Sequence, residues 1–470
     1  MRRHATGPGT IGGVSTPRPL PTGEPSAADP ATSRWALWWS ALRERPAVAR
    51  LAAVRFAGQF GDGMFQAALS GAILFNPERE TDPLAIAAGF AVLLLPYSLI
   101  GPYAGALLDR WDRRNVLVAA NLVRAALIGV TTLALFAGVA ETPLLLLALA
   151  VVGVSRFVMA GVSAALPKVL APQWLVPMNS LLATVASGCA GVGAAAAVAI
   201  IGIVGAGDTG SAAAVAAAGV GSLLSVAVAL GFHGRELGPD PVGAVGVSAV
   251  GAVATGLRNG ARAVWRAPQV TAAMIGIGTH RIVFGANTLV MVLVLRREGA
   301  EGGAGGGLLG FGVAIAATAT GMLLAALFAP VLIPRLGRPR TVVAGLCVAA
   351  VVQAVFVTPI AIAQAGAAAD RAHVLLLVGA FLFGLAGQTI KLTGDAAMQI
   401  DIDDTHRGQV FALQDTVFNI AFVAAIAVTA VLVPTDGRSL PLVVAGAVVY
   451  CAGIAAVLLT LRREGQPAAG

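Results

Sequence analysis

A few ionisable side chains stand inside long apolar runs, and they are the residues most able to do chemistry. Five of them are Arg55, Asp62, Arg156, His280 and Arg281. A charge in apolar surroundings is costly, so such residues usually face a water-filled path or pair with one another. A buried carboxylate without a partner favours its neutral form and can therefore take up and release a proton. We predict that these residues form a proton-coupling site that lines a cavity.

Asp62 is the residue on which proton transfer would depend, because it lies about halfway along the first apolar run. Two interpretations of Asp62 remain open. It could exchange a proton, or it could form a static ion pair with Arg55, Arg156 or Arg281 that holds helices together. His280 allows a similar choice, since an imidazole can relay protons near neutral pH, whereas a helix-packing histidine would hydrogen-bond a neighbour.

Lys391 and Asp395 are four residues apart, which places them on one face of a helix. We predict an ion pair there, with structural support as its main role and gating as the alternative. The sequence lacks the phosphate-binding glycine loop of ATP-driven pumps. Its 3 cysteines do not pair by spacing, and they predict neither a disulfide nor a metal site. We therefore expect neither a cofactor nor an enzyme.

The elements that carry these residues are apolar segments long enough to cross a membrane. The chain has 470 residues, of which 57% are hydrophobic and 11% charged, a composition typical of membrane proteins. A helix crosses the hydrocarbon core with roughly 20 apolar residues. Such runs lie at 50–74, 84–108, 116–138, 143–166, 176–205, 211–232, 268–295, 308–334, 341–364, 372–396, 409–433 and 439–462. They predict an all-α polytopic membrane protein with twelve transmembrane helices.

Basic residues between the runs predict how the chain is oriented in the membrane. Arginine and lysine concentrate in the loops that follow the even-numbered runs. By the positive-inside rule, both termini then lie on the cytoplasmic side of the cell membrane. Arg296 and Arg297, after the seventh run, are the exception. Because the net charge of +8 resides mostly in these loops, it does not indicate a nucleic-acid partner.

Composition also predicts the domain boundaries. Residues 1–47 are rich in proline, glycine, serine and threonine, which is typical of a disordered tail. Six-helix bundles are expected at 48–233 and 267–463, separated by a cytoplasmic middle loop with an amphipathic helix at 234–266. A short tail follows at 464–470. Two bundles of this kind let one half rock against the other around a site near the middle of the membrane.

A charged motif follows the second run. It reads Gly105-Ala-Leu-Leu-Asp109-Arg110-Trp-Asp-Arg113-Arg114. This motif resembles the signature G-x-L-a-D-r-x-g-r-r between helices 2 and 3 of the major facilitator superfamily, which implies a role in gating. Asp112 departs from the signature, because it stands where the family usually has glycine. A worn copy follows the eighth run, with Pro334 at the position of the aspartate.

Two further stretches, 256–268 and 399–413, resemble the branch of the superfamily that includes macrolide-efflux and enterobactin-exporter proteins. The resemblance implies the major facilitator fold, in which helices 1, 4, 7 and 10 line a central cavity. It also implies a monomer in the lipid bilayer that exports a small amphipathic organic molecule, a drug or secreted metabolite, by alternating access with protons as coupling ion. The stretch 188–196 lacks the proline of the family's proton-antiporter signature, which weakens that coupling assignment. Import, lipid flipping and a non-transporting sensor remain the alternatives.

Overall fold

The computed structural model describes residues 46–73, 83–92, 94, 111–170, 172–238, 249–300, 306–362 and 367–464. Helices dominate these ranges, and no strand occurs within them. The residues described from Ala47 onward belong to one compact unit. The helices are α1 (Pro46–Ile73), α2 (Pro83–Val92), α3 (Arg113–Phe136), α4 (Glu141–Val169), α5 (Pro172–Val204), α6 (Asp208–Leu230), α7 (Ala249–Arg266), α8 (Pro268–Ala300), α9 (Gly307–Leu336), α10 (Arg338–Ile362), α11 (Ala367–Asp401), α12 (Asp404–Leu432) and α13 (Leu440–Glu464).

Of the described helices, 10 are long and apolar enough to cross a membrane, namely α3 to α6 and α8 to α13. Helix α1 has 28 residues, which is also sufficient length, but Arg50, Arg55 and Asp62 make it more polar. Helix α2 begins the second predicted span, of which residues 93 and 95–108 lie outside the described residues. The prediction of an all-α polytopic membrane protein is confirmed, and these helices are consistent with a twelve-helix chain.

A belt of large apolar side chains covers the outside of the bundle. Leu133, Leu146, Leu327 and Val431 are each more than 60% exposed, and Ile203 is 85% exposed. Soluble monomers rarely expose so much apolar surface to water. Lipid tails are themselves apolar, so the same surface is stable in a bilayer. The belt therefore marks the surface of the protein that contacts the bilayer.

Polar contacts show which helix ends lie together. Arg114, at the start of α3, donates from Nη2 to the carbonyl of Leu230 at the end of α6, at 3.2 Å. Arg338, at the start of α10, binds Asp401 at the end of α11. We call this end of the bundle the arginine-rich side. On the opposite side, Glu298 at the end of α8 lies 3.0 Å from His373 near the start of α11.

The helices form two halves that repeat the same packing. In the first half, α1 contacts α5 and α6, while α3 packs on α6. In the second half, the equivalent pairs are α8 with α12 and α13, and α10 with α13. Small residues permit the close approaches, since a Cβ on Gly61 would lie 2.9 Å from the Ala218 carbonyl oxygen. This repetition agrees with the predicted pair of pseudo-symmetric helix bundles.

The two halves meet through an apolar cluster on the side opposite the arginine-rich side. We call it the inter-half cluster; it contains Phe65 and Leu69 of α1 together with Leu289, Leu293 and Phe422 from the second half. The ring of Phe422 also contacts that of Phe90 in α2, with centroids 6.2 Å apart. The halves are thus closed against each other on the opposite side.

Helix α7 joins the halves and lies on the arginine-rich side. It packs on α12, where Gly260 approaches the backbone of Gln409 and Val264 is buried. Trp265 is 76% exposed, and the neighbouring arginines of α7 are exposed as well. An amphipathic helix with an exposed tryptophan suits the headgroup region of a bilayer.

Candidate functional site

Asp62 lies at the centre of a buried polar cluster in the first half. Its Oδ1 is 2.9 Å from Nη2 of Arg124 on α3, and the Ser155 hydroxyl on α4 donates to the same oxygen at 2.6 Å. Gln59 donates from Nε2 to Oδ2 at 3.0 Å. The side chain of Asp62 is 8% exposed and that of Arg124 is 1% exposed. The carboxylate therefore ties three helices together.

The partner of Asp62 differs from those expected from the sequence. Arg55, Arg156 and Arg281 were the expected partners, whereas the structure pairs Asp62 with Arg124. Arg124 belongs to the third span, which the family resemblance places away from the cavity. Helix α3 nevertheless approaches α1 near Gly58, whose carbonyl lies 3.4 Å from Nη2 of Arg124. Sequence position locates a residue on a helix, but only packing shows which neighbour that helix meets.

Arg55 and Arg156 occupy the same half as Asp62 but take other partners. Arg55 is buried on α1, about two turns nearer the arginine-rich side. Arg156 is half-buried on α4, next to Ser155. Both arginines make interactions of their own. The structure thus brings Asp62 together with Arg124 and Ser155, while His280 and Arg281 lie on α8 in the second half.

His280 is enclosed by aromatic side chains. Its Nδ1 lies 3.1 Å from the Tyr450 hydroxyl, and its ring stacks on Phe284 with centroids 5.7 Å apart. Phe383 flanks the same ring, and Gly387 on α11 leaves room for it. His280 is 5% exposed. This geometry favours the helix-packing interpretation over proton relay.

Among the residues that the structure describes, aromatic rings rather than a carboxylate surround Arg281. Its Cζ lies 3.6 Å from the ring centroid of Phe418, 4.5 Å from that of Phe422 and 5.6 Å from that of Phe284. Its Nε–H donates to the carbonyl of Phe418 at 3.3 Å. The side chain is half-buried. A guanidinium over aromatic faces gains cation–π attraction.

A second polar cluster lies on α11 and α12. Lys391 and Asp395 form the ion pair expected from their spacing, with Nζ and Oδ2 2.9 Å apart. Gln414 donates from Nε2 to Oδ1 of Asp395 at 2.7 Å, which links α11 to α12. Asp415 is exposed and lies within electrostatic range of Lys391 and Asp395. The sequence reasoning missed Asp415, although its position within the eleventh apolar run was the available signal.

The gating motif is described only in part, because Gly105, Asp109 and Arg110 lie outside the described residues. Arg113 donates from Nη1 to the carbonyls of Ala164 and Leu237, at 2.9 and 3.2 Å. Those two bonds anchor α3 to the end of α4 and to the segment after α6.

Asp112, which departs from the family signature, has a structural role of its own. Its side chain accepts a hydrogen bond from the backbone N–H of Arg114 at 3.0 Å and so caps α3.

The worn copy of the motif contains a carboxylate partner from another helix. Pro334 leaves that copy without its own aspartate. Arg338 instead binds Asp401 of α11 through two hydrogen bonds, at 2.8 and 3.1 Å. A bidentate arginine–carboxylate pair is strong and directional. Asp401 thus connects two helices on the arginine-rich side.

Comparison with known proteins places this architecture in a family. No protein-family model matches the chain. An uncharacterised MFS-type transporter of Mycobacterium tuberculosis is 43% identical over 435 residues, which are 92% of this chain and 95% of that protein.

Two solved structures share the fold. The nucleoside transporter NupG matches with a TM-score of 0.64 at 11% identity. The matched region covers 88% of this chain and 98% of the NupG chain. A peptide transporter POT matches with a TM-score of 0.64 at 14% identity. The matched region covers 90% of this chain and 94% of the POT chain. With a relative of such identity and coverage, the chain belongs to the major facilitator superfamily and is a multi-pass membrane transporter.

Proposed function

We propose that the protein exports small amphipathic organic molecules across the cell membrane by alternating access, with protons as the coupling ion. The main support is the one-sided closure of its two halves. The inter-half cluster seals the side opposite the arginine-rich side. Towards the arginine-rich side, Arg281 is half-buried and Asp415 exposed. Because charges facing lipid are costly, these side chains face an accessible space inside the bundle.

The arginine-rich side is the cytoplasmic side in this proposal. Arg113, Arg114, Arg338 and Arg407 all lie there, and the positive-inside rule places such loops in the cytoplasm. The accessible space then opens to the cytoplasm, from which an exporter loads its substrate. The direction of transport rests on the resemblance of 256–268 and 399–413 to exporters.

Aromatic side chains support an amphipathic substrate. Phe284, Phe418 and Phe422 surround the guanidinium of Arg281 near the boundary of the two halves. Aromatic and apolar walls with a few polar groups are typical of sites for small organic molecules. This lining suits a molecule with both an apolar body and a polar group.

Asp62 is the proposed proton-coupling residue. Proton uptake by Asp62 removes its attraction to Arg124 and so loosens α1 from α3 and α4. Phe65, one turn further along α1, belongs to the inter-half cluster. A change in the protonation of Asp62 can therefore reach the contact that closes the halves.

The test is accumulation of a chemically broad compound panel in an efflux-deficient bacterial host, with and without an uncoupler. Wild type runs beside Asp62→Asn, at equal amounts in the membrane. Asp436→Asn is the matched control. Asp436 also faces an arginine, Arg297, but their ion pair is long, at 3.8 Å, and partly exposed on the opposite side. We expect wild type and the control to lower the accumulation of some compounds, and Asp62→Asn or the uncoupler to abolish that effect.

Other results would change specific parts of the proposal. Wild-type efflux that survives the uncoupler would contradict proton coupling. Efflux that survives Asp62→Asn but not Asp415→Asn would move the coupling residue to α12. Higher accumulation with wild type than with the empty host would replace export by import.

A further inference from the structure

We propose that Arg281 binds the anionic group of the transported molecule, so that the substrate is an amphipathic organic anion. This inference rests on the proposed transport function and specifies its substrate class. A carboxylate, sulfonate or phosphate ester attached to an apolar body would meet the requirement.

The hydrogen-bonding capacity of Arg281 is largely unused by the protein. A guanidinium has five N–H donors. In Arg281 the Nε–H donates to the Phe418 carbonyl, and among the described residues neither Nη atom has a hydrogen-bond or carboxylate partner. The side chain of Arg281 is half-buried and so is not sealed inside the bundle. The free donors of Arg281 are therefore accessible to a ligand.

Other cations inside the spans are neutralised differently. Arg124 pairs with Asp62 at 2.9 Å, and Lys391 pairs with Asp395 at 2.9 Å. Arg281 is instead surrounded by aromatic rings, and the nearest ring centroid, that of Phe418, lies 3.6 Å from its Cζ. Cation–π attraction offsets only part of the desolvation cost of a guanidinium. An anion that binds the Nη atoms would supply the missing compensation.

Arg281 also lies where a substrate must pass. It stands roughly 20 Å along α8 from Pro268, near the middle of a membrane span. Phe422, one of its ring partners, belongs to the inter-half cluster and touches Phe90 of the first half. Arg281 is therefore just on the arginine-rich side of the contact that closes the halves. A transporter binds its substrate at this depth, between its two halves.

The chemistry of the site specifies both parts of the ligand. The planar guanidinium fork matches carboxylate, sulfonate and phosphate oxygens in bidentate geometry. Phe284 and Phe418 offer faces for an aryl or other apolar body next to that anion. A small inorganic anion would leave these apolar faces without contact, whereas an amphipathic organic anion uses both features.

The experiment measures binding to the purified full-length protein in detergent, by equilibrium dialysis. The probes share one skeleton: naphthalene-2-carboxylate, naphthalene-2-sulfonate, 2-naphthalenemethanol and 2-naphthylmethylamine. We expect wild type to bind the two anions at least about tenfold more tightly than the alcohol or the amine, the difference of one good charge-assisted pair. Arg281→Gln should lose this preference, and Arg281→Lys should keep part of it. Arg297→Gln, on the opposite side, is the matched control and should behave as wild type.

Several results would overturn the inference. Equal affinity of wild type for all four probes would contradict it without any variant, so a poorly folding Arg281→Gln protein does not prevent the test. An anion preference that persists in a folded Arg281→Gln protein would contradict it as well. Stabilisation of wild type only by phosphatidylglycerol vesicles, with no binding of the soluble anions, would identify a lipid headgroup and reject the substrate assignment.

The cellular export assay separates this inference from the proposed function. Export of neutral or cationic compounds alone would support transport and reject the anionic substrate. Anion binding through Arg281 with no export of any compound would support the site and reject the exporter.

Discussion

Asp62 and Arg124 are almost completely enclosed, so each charge depends on the other for compensation. Removing one member of a buried ion pair leaves an unpaired charge and costs about 3–5 kcal/mol, whereas replacing both by apolar residues is often neutral. We expect Asp62→Leu or Arg124→Met alone to lower the free energy of unfolding by about 3 kcal/mol. The double variant should recover most of this loss. Denaturant unfolding of wild type, the two single variants and the double variant in detergent measures the interaction energy between Asp62 and Arg124.

The same double variant separates the effect of this pair on protein stability from its effect on proton-coupled efflux. If Asp62 exchanges protons, the double variant should fold and reach the membrane but lack proton-driven efflux. If the double variant lost as much stability as the two single variants together, Asp62 and Arg124 would not stabilise each other, and the expected role of the pair would be contradicted. A stable double variant with normal uncoupler-sensitive efflux would leave Asp62 with a structural role.

Tyr450 and His280 provide a test of the helix-packing interpretation. Tyr450→Phe removes the 3.1 Å contact between its hydroxyl and Nδ1 of His280 while leaving the ring in place. The loss of one buried hydrogen bond should cost about 1 kcal/mol. Efflux and its dependence on external pH should stay as in wild type. A large change in the pH profile with unchanged stability would instead support a proton relay through His280.

The sequence identified which side chains are buried charges but not which of them meet. Asp62, His280, Arg281, Lys391 and Asp395 were recognisable because a charge in an apolar run is conspicuous. The partners Ser155 and Arg124 come from helices far away in the chain, and no spacing rule along one helix connects them to Asp62. Spacing did predict the ion pair of Lys391 with Asp395, because residues four apart lie on one face of a helix.

Helices α1 and α5 approach so closely that glycine is required at specific positions. A Cβ on Gly193 would collide with the carbonyl oxygen of Phe60, whereas one on Gly191 would meet no atom of the described residues within 4 Å. We expect Gly193→Ala to lower the free energy of unfolding by about 1–3 kcal/mol through overpacking. Gly191→Ala, its matched control in the same helix, should be neutral or slightly stabilising. Equal effects of the two substitutions on thermal unfolding would contradict the packing of α1 on α5.

Apolar runs predicted where most helices lie, but not their internal irregularities. Helix α10 contains a π-helical turn at Gln353–Val357, which carries the fully buried side chain of Gln353. That amide accepts from Asn287 at 2.6 Å and donates to the carbonyl of Val443 at 3.2 Å. Such a turn arises from tertiary contacts among α8, α10 and α13. Hydrophobic periodicity within one segment contains no information about them.

The arginines that broke the orientation pattern are explained by the assembled molecule. Arg297 lies 3.8 Å from Asp436, and Arg296 lies within electrostatic range of Glu141 in the other half. Acidic residues on the opposite side thus offset these two positive charges. The positive-inside rule counts basic residues in single loops, so it could not include partners that folding brings together from distant loops.

The electrostatic attraction between Arg296 and Glu141 also acts across the two halves, on the side where they are closed. Glu141→Gln should weaken this closure and shift the population towards the form open on the opposite side. Labelling of Ser70→Cys by a membrane-impermeant maleimide should then rise relative to the same cysteine in the wild-type background. Unchanged labelling would show that the inter-half cluster alone maintains the closed side.

Alternating access requires the closed side to open in every transport cycle, and a cross-link tests this most directly. Gly71 and Leu308 belong to different halves, and a Cβ on Gly71 would lie 3.4 Å from the Leu308 side chain. With the native cysteines replaced by alanine, Gly71→Cys and Leu308→Cys should be joined by a short bifunctional maleimide. We expect the cross-linked protein to lose efflux while each single-cysteine variant, treated in the same way, retains it. Full efflux by the cross-linked protein would contradict alternating access between these two halves.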